Sequence, residues 1–133
     1  MISLEEMQDM LDEIADGFPR ELFENLNGGV LLLPQAKRNP RIKSHPIYIL
    51  GEYHSGGNMG KYIAIYYGSF KILFGRASTE FLRKRLTETL KHEFIHHLET
   101  QAGERGLAIQ DEQRMKGFLE KDRKRRRKLI NPD

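Results

Sequence analysis

The chain carries the run Lys91-His92-Glu93-Phe94-Ile95-His96-His97, which contains the pattern H-E-x-x-H. Two imidazoles four residues apart project from one face of a helix, close enough to share a metal ion. The glutamate between them is placed to take a proton from a water at that metal. This is the chemistry of metal-assisted amide hydrolysis. Zinc binds His nitrogens at about 2.0 to 2.1 Å, lowers the pKa of its water towards about 7 and polarises a carbonyl. The roles that follow are Zn2+ held by His92 and His96, with Glu93 as general base. A pair of core histidines hydrogen-bonded to carbonyls is the competing use of the same residues.

Catalytic zinc sites take three protein ligands and a water. No histidine follows His97, and Glu99 and Ala102 stand where a metzincin would place its glycine and last histidine. The third ligand is therefore expected to be a carboxylate. Glu99 points to the polar side of the helix. Asp111 opens the next helix and reaches the metal if that helix packs back; it is favoured over Glu112 and over Glu104 in the turn, all three remaining open. Asp111 also suits a plain N-cap. His97 is read as a satisfied core histidine, because neighbouring positions do not readily meet the same metal.

These residues need a helix to position them. Ser78 is a good N-cap, and the helix is expected to run from there to about Gln101, stopping near Gly103. Turning about 100° per residue from Leu82 puts Leu82, Leu86, Leu90 and Phe94 between about 0° and 120°. Glu93, His96 and His92 fall at about 20°, −40° and −80°, inside or beside that apolar arc, where polar groups need partners.

Upstream, Ser3-Leu4-Glu5-Glu6 has the form of a capping box and opens a helix with Met7, Met10, Leu11 and Ile14 on one face and Gly17 as its stop. Pro19 suits the first turn of a short second helix. Three strands are expected: Val30–Leu33 buried, Ile47–Tyr53, and Tyr62–Tyr67, the last two forming an antiparallel hairpin across HSGGNMGK. That glycine-rich connector is no phosphate loop, since Ser55 and Tyr62 break the pattern. The last helix is expected from near Asp111 into the basic tail.

At 133 residues the chain is one domain by length, and 38% hydrophobic with 31% charged residues is a globular balance. No apolar run approaches a membrane span. The acidic, amphipathic N-terminus lacks the features of a signal peptide. With no cysteine there is no disulfide, metal ligands are nitrogen and oxygen, and a cytoplasmic location is expected. The run KDRKRRRK at 121–128 carries +6 against a net charge of +3, which leaves −3 for the remainder. A domain over 1–120 followed by a basic tail over 121–133 is the expected organisation.

The residues resemble the small bacterial zincin-like metallopeptidases, single-domain proteins of about this length. The likeness rests on the acidic N-terminal helix, Leu50-Gly51-Glu52-Tyr53, the later strand ending in Tyr66, and HEFIHH followed by Asp111-Glu112, over about residues 3 to 115. The family's motif is similar to H-E-x-x-H-x-x-G-x-x-D, with Asp111 matching its last position. Here Glu99 replaces the glycine, and the longer segment ETQAGERGLAIQ comes before Asp111. The resemblance implies an α+β, minimal zincin-like fold, a small mixed β-sheet packed against the motif helix, and peptidase activity on a peptide or protein substrate. An extended substrate would pair with an edge strand, for which YIAIYY is the expected one. A different class of function, a nucleic-acid-associated accessory protein gripping phosphates with its tail, uses the same sequence with a structural metal or none. The tail has no aromatics for base stacking.

Overall fold

The structure is a computed structural model that describes residues 1–42, 44, 47–105, 116–117 and 119–121. They form two compact units, Met1–Phe94 and Ile95–Asp133, and the longest helix passes from the first into the second. The class is α+β.

The first unit opens with α1 (Leu4–Asp16). The Ser3 hydroxyl accepts from the Glu6 N–H while the Glu6 carboxylate accepts from the Ser3 N–H, so both halves of the capping box form. Met7, Met10, Leu11 and Ile14 are buried along one face, and Gly17 caps the end. Pro19 caps a single 3-10 turn, Arg20–Phe23, in place of the short helix expected over 19–26. Strands β1 (Gly29–Leu33), β2 (Lys37–Arg38), β3 (Tyr48–Ile49), β4 (Gly51–His54) and β5 (Tyr62–Tyr66) follow. Then come α2 (Tyr67–Phe74) and α3 (Thr79–Arg105).

The main sheet has the order β1-β5-β4 and is mixed: β1 is parallel to β5 and β4 is antiparallel to it. The expected hairpin of β4 and β5 is present, with Tyr53 opposite Ile63 and His54 opposite Tyr62. The edge assignment is corrected. The YIAIYY strand is the middle strand, paired on both sides, so its backbone is not open to a substrate. Its unbroken apolar run is the reason, since Ile63, Ala64 and Ile65 are all fully covered, as suits a central strand. Conversely, β1 is an edge strand and is only half-buried.

The expected strand Ile47–Tyr53 is cut at Leu50: its first part pairs with β2 in a separate two-stranded ribbon, its second joins the main sheet. α2 continues from β5 without a capping side chain. Gly68 allows it to lie on the preceding loop, for a Cβ there would sit 2.4 Å from the Ala36 nitrogen. The Gly68 N–H donates to the Gln35 carbonyl, and the Lys37 N–H donates to the buried Ser69 hydroxyl. α2 therefore fixes the segment that carries Lys37.

Leu82, Leu86, Leu90 and Phe94 are fully buried and put the first half of α3 in the core. Phe94 meets Phe18 and Phe23 edge-on at 5.6 and 4.9 Å. In the second unit, Gln101 and Leu119 are buried. Lys116 lies 3.6 Å from Glu99. Among the described residues no helix is long and apolar enough to cross a membrane.

Candidate active site

Ser78 caps α3 through a hydroxyl that accepts from the Phe81 N–H, and the helix runs on past Gly103 to Arg105. H-E-x-x-H thus lies within one uninterrupted helix, as its chemistry requires. The orientation read from the helical rotation holds for only part of the motif. Glu93 is buried, 6% exposed, and His97 is fully buried, but His92 and His96 are exposed. The core-facing arc is centred near 60°, midway between Leu82 and Phe94, which leaves positions at −40° and −80° at its outer margin. Imidazoles there are reachable from solvent. His97 pairs with Gln101 at 3.1 Å, the satisfied core histidine expected of it.

In the first unit a cavity of about 440 Å³ opens between α3 and the start of β4. One wall is Leu50 and Gly51; the other is a stripe along α3 formed by Arg85, Glu88, Thr89, His92 and Glu93. Gly51 permits the close approach. A Cβ at that position would stand 2.9 Å from Thr89 Cγ2 and 3.0 Å from Ile65 Cδ1.

The Tyr66 N–H donates to the Leu50 carbonyl, which turns residues 50, 52 and 54 of this edge towards β5 and leaves 51 and 53 pointing outward. The outward Tyr53 N–H donates to the Glu93 carboxylate. Burial pushes the Glu93 carboxyl up to about 7, the Tyr53 bond pulls against it, and the charge of nearby Glu52 adds to it.

Glu52 is the centre of a polar cluster that sequence reasoning missed. Its Oε1 accepts from Lys37 Nζ at 2.5 Å and from the Tyr66 hydroxyl at 2.7 Å, with His54 Nε2 at 3.4 Å. Burial acts to raise the Glu52 carboxyl, but the hydrogen bonds from Lys37 and Tyr66 outweigh it and hold Glu52 below the ordinary carboxylate range. Tyr66 is pushed up to about 12, first by burial and then by its bond to the Glu52 carboxylate. The bond to Glu52 raises Lys37 as well. The Glu52 carboxylate stays charged and adds to the upward shift of Glu93. The members of the cluster come from β2, β4 and β5, a juxtaposition no local pattern signals. Arg85 was legible in principle: the same rotation puts it at about −60°, between His96 and His92.

In the second unit, His96 Nδ1 lies 3.7 Å from Glu99 Oε2, and Glu99 Oε1 lies 3.6 Å from Lys116 Nζ. Lys116 therefore reaches the turn of α3 that carries His96. Glu104 is exposed near the end of α3. Asp111 and Glu112 lie outside the described residues, as does the basic tail apart from Lys121. Among the described residues no three His, Asp or Glu side chains form a metal-holding group.

No protein-family model matches the chain, and no curated protein matches it. The chain is similar to a solved structure, a conserved hypothetical protein from Thermus thermophilus. The two are 30% identical with a TM-score of 0.68, over 77% of this chain and 99% of that one. The chain belongs to that protein's family. This family relation bears on the α+β fold, and the description of the Thermus protein attaches no activity to it.

Proposed function

We propose that the protein is a cytoplasmic zinc-dependent metallopeptidase of the zincin-like kind, acting on a peptide or protein substrate. The observation that carries the reading is Glu93: a buried carboxyl in the wall of an open cavity, shifted to about 7, on one helix with an exposed imidazole immediately before it and another three residues after it. A general base works best when its pKa lies near the operating pH. The donor set fits zinc: two imidazoles accessible from solvent, at helical spacing, with no cysteine in the chain.

His92, His96 and Asp111 would hold the ion. The reach of the Lys116 segment to Glu99 supports a ligand from the same region, with Glu112 and Glu104 as the alternatives. The chemistry such an ion supplies when bound is acidification of a water and polarisation of the scissile carbonyl. Glu93 would serve as the general base, taking a proton from the attacking water at a carboxylate oxygen and delivering it to the departing amide nitrogen. Tyr53 holds the Glu93 carboxylate in place through its backbone N–H, and the remaining outward backbone groups of β4, in place of β5, offer the edge for an extended substrate.

Glu93→Gln is expected to keep bound zinc and abolish peptide hydrolysis. Hydrolysis retained by that variant removes Glu93 from its role.

A further inference from the structure

Arg85 stands at the far end of the α3 stripe from Glu93 and lines the same cavity. Its surroundings are unusual for an arginine. Among the described residues the guanidinium pairs with Glu88, Nη1 to Oε2 at a long 3.3 Å, and it lies 5.5 Å over the Phe74 ring. Its Nε is shut off from water and finds no acceptor among the described residues. A buried donor without an acceptor is costly, and a guanidinium offers a planar fork that matches a carboxylate through two parallel hydrogen bonds. The nearby Thr89 hydroxyl donates to the Arg85 carbonyl and does not accept from Nε. With 38% of its side chain exposed, Arg85 is able to turn towards an anion entering the cavity and so satisfy its fork.

We propose that Arg85 forms a carboxylate-binding subsite that makes the cleft selective for peptides bearing a negative charge a fixed distance from the cleaved bond. This inference rests on the peptidase reading of the cavity and adds its substrate class. Glu93 lies eight positions after Arg85, about 12 Å along the helix at about 1.5 Å per residue. An extended peptide advances about 3.3 Å per residue, so the charge sits three or four residues from the scissile bond. Either an acidic side chain or a free C-terminal carboxylate supplies the same group. Glu88 competes with that ligand for the guanidinium, so removing its charge should strengthen the preference rather than weaken it.

The test uses the full-length, zinc-loaded Glu93→Gln protein. Binding of fluorescent octapeptides is measured by polarisation, with a single Glu or Gln placed at each position in turn and the C-terminus either free or amidated. Cleavage of the same peptides by the unmodified protein is followed by mass spectrometry. The expected result is about tenfold tighter binding when a carboxylate occupies one position, loss of that preference in Arg85→Gln, and a larger preference in Glu88→Gln. Preference confined to the free C-terminus assigns the subsite to a chain end; preference for an internal Glu assigns it to a side chain.

Equal affinity for Glu and Gln peptides, including no measurable affinity for either, overturns the subsite. A preference that survives Arg85→Gln in a protein with unchanged circular dichroism does the same. Cleavage without charge preference sinks the subsite and leaves the peptidase standing, whereas charge-selective binding without cleavage keeps the subsite and sinks the peptidase.

Discussion

Replacing Glu93 with Gln is expected to stabilise the metal-free protein, and to do so only at neutral and alkaline pH. The Glu93 carboxyl is 6% exposed, and burial, reinforced by the charge of Glu52, raises it from an ordinary 4.5 to about 7. Between those values the folded protein holds a proton that the unfolded chain releases. The stability linked to that proton is complete below pH 4.5 and is lost as pH rises through about 7. At about 1.4 kcal/mol per pH unit the full loss approaches about 3 kcal/mol, and water reaching the open cavity brings the realised value to about 1 to 3 kcal/mol. Glutamine keeps an acceptor for the Tyr53 N–H and never ionises. Thermal melts followed by circular dichroism in chelator, from pH 5 to 8.5, measure the difference. For a chain of this size a gap of about 2 kcal/mol corresponds to a Tm about 5 to 10 °C higher for the variant at pH 8.5, with little difference at pH 5. A Tm gap that is the same at both ends of the range would show that Glu93 carries no raised pKa and refute the reasoning.

Three further substitutions probe the surroundings of the site. Glu52→Gln removes a charge that raises Glu93, so the pH at which the unmodified protein falls below its Glu93→Gln partner should move downward in the same melts; an unmoved crossing separates the two carboxylates. Tyr66→Phe removes a buried donor to the Glu52 carboxylate and should cost about 1.5 to 3 kcal/mol by urea unfolding, whereas a neutral outcome would show that Lys37 alone satisfies Glu52. Gly51→Ala drives a Cβ into Thr89 Cγ2 and should destabilise by about 1 to 3 kcal/mol, and a second change, Thr89→Ala, should recover part of that loss; strict additivity in the four-variant cycle would disprove the contact.

The elements that announce themselves locally were legible in the sequence. The capping box at Ser3 and Glu6, the buried face of α1, the hairpin of β4 and β5 and the Ser78 cap of α3 are each set by residues a few positions apart. α2 was not, because β5 runs into it with no capping side chain. Its glycine answers to the Gln35–Ala36 chain, distant in sequence, and not to any turn of its own. The place of β5 in the middle of the sheet was likewise hidden, since it depends on β1 pairing with it in parallel across three intervening strands.

The site divides the same way. H-E-x-x-H could be read from spacing, and His97 as a core residue followed from its angle. The exposure of His92 and His96 did not, because it depends on where the apolar arc is centred once Phe94 meets Phe18 and Phe23. Lys37, Glu52 and Tyr66 come together only through the fold.

The central claim is a zinc site on α3, and the most direct measurement is the metal content of the purified, zinc-reconstituted protein by inductively coupled plasma mass spectrometry, alongside His96→Ala and Asp111→Ala. The expected result is close to one zinc per chain in the unmodified protein and almost none in either variant. Zinc absent from the unmodified protein after reconstitution would contradict the account, and zinc retained in His96→Ala would remove His96 from the ligand set and contradict it too.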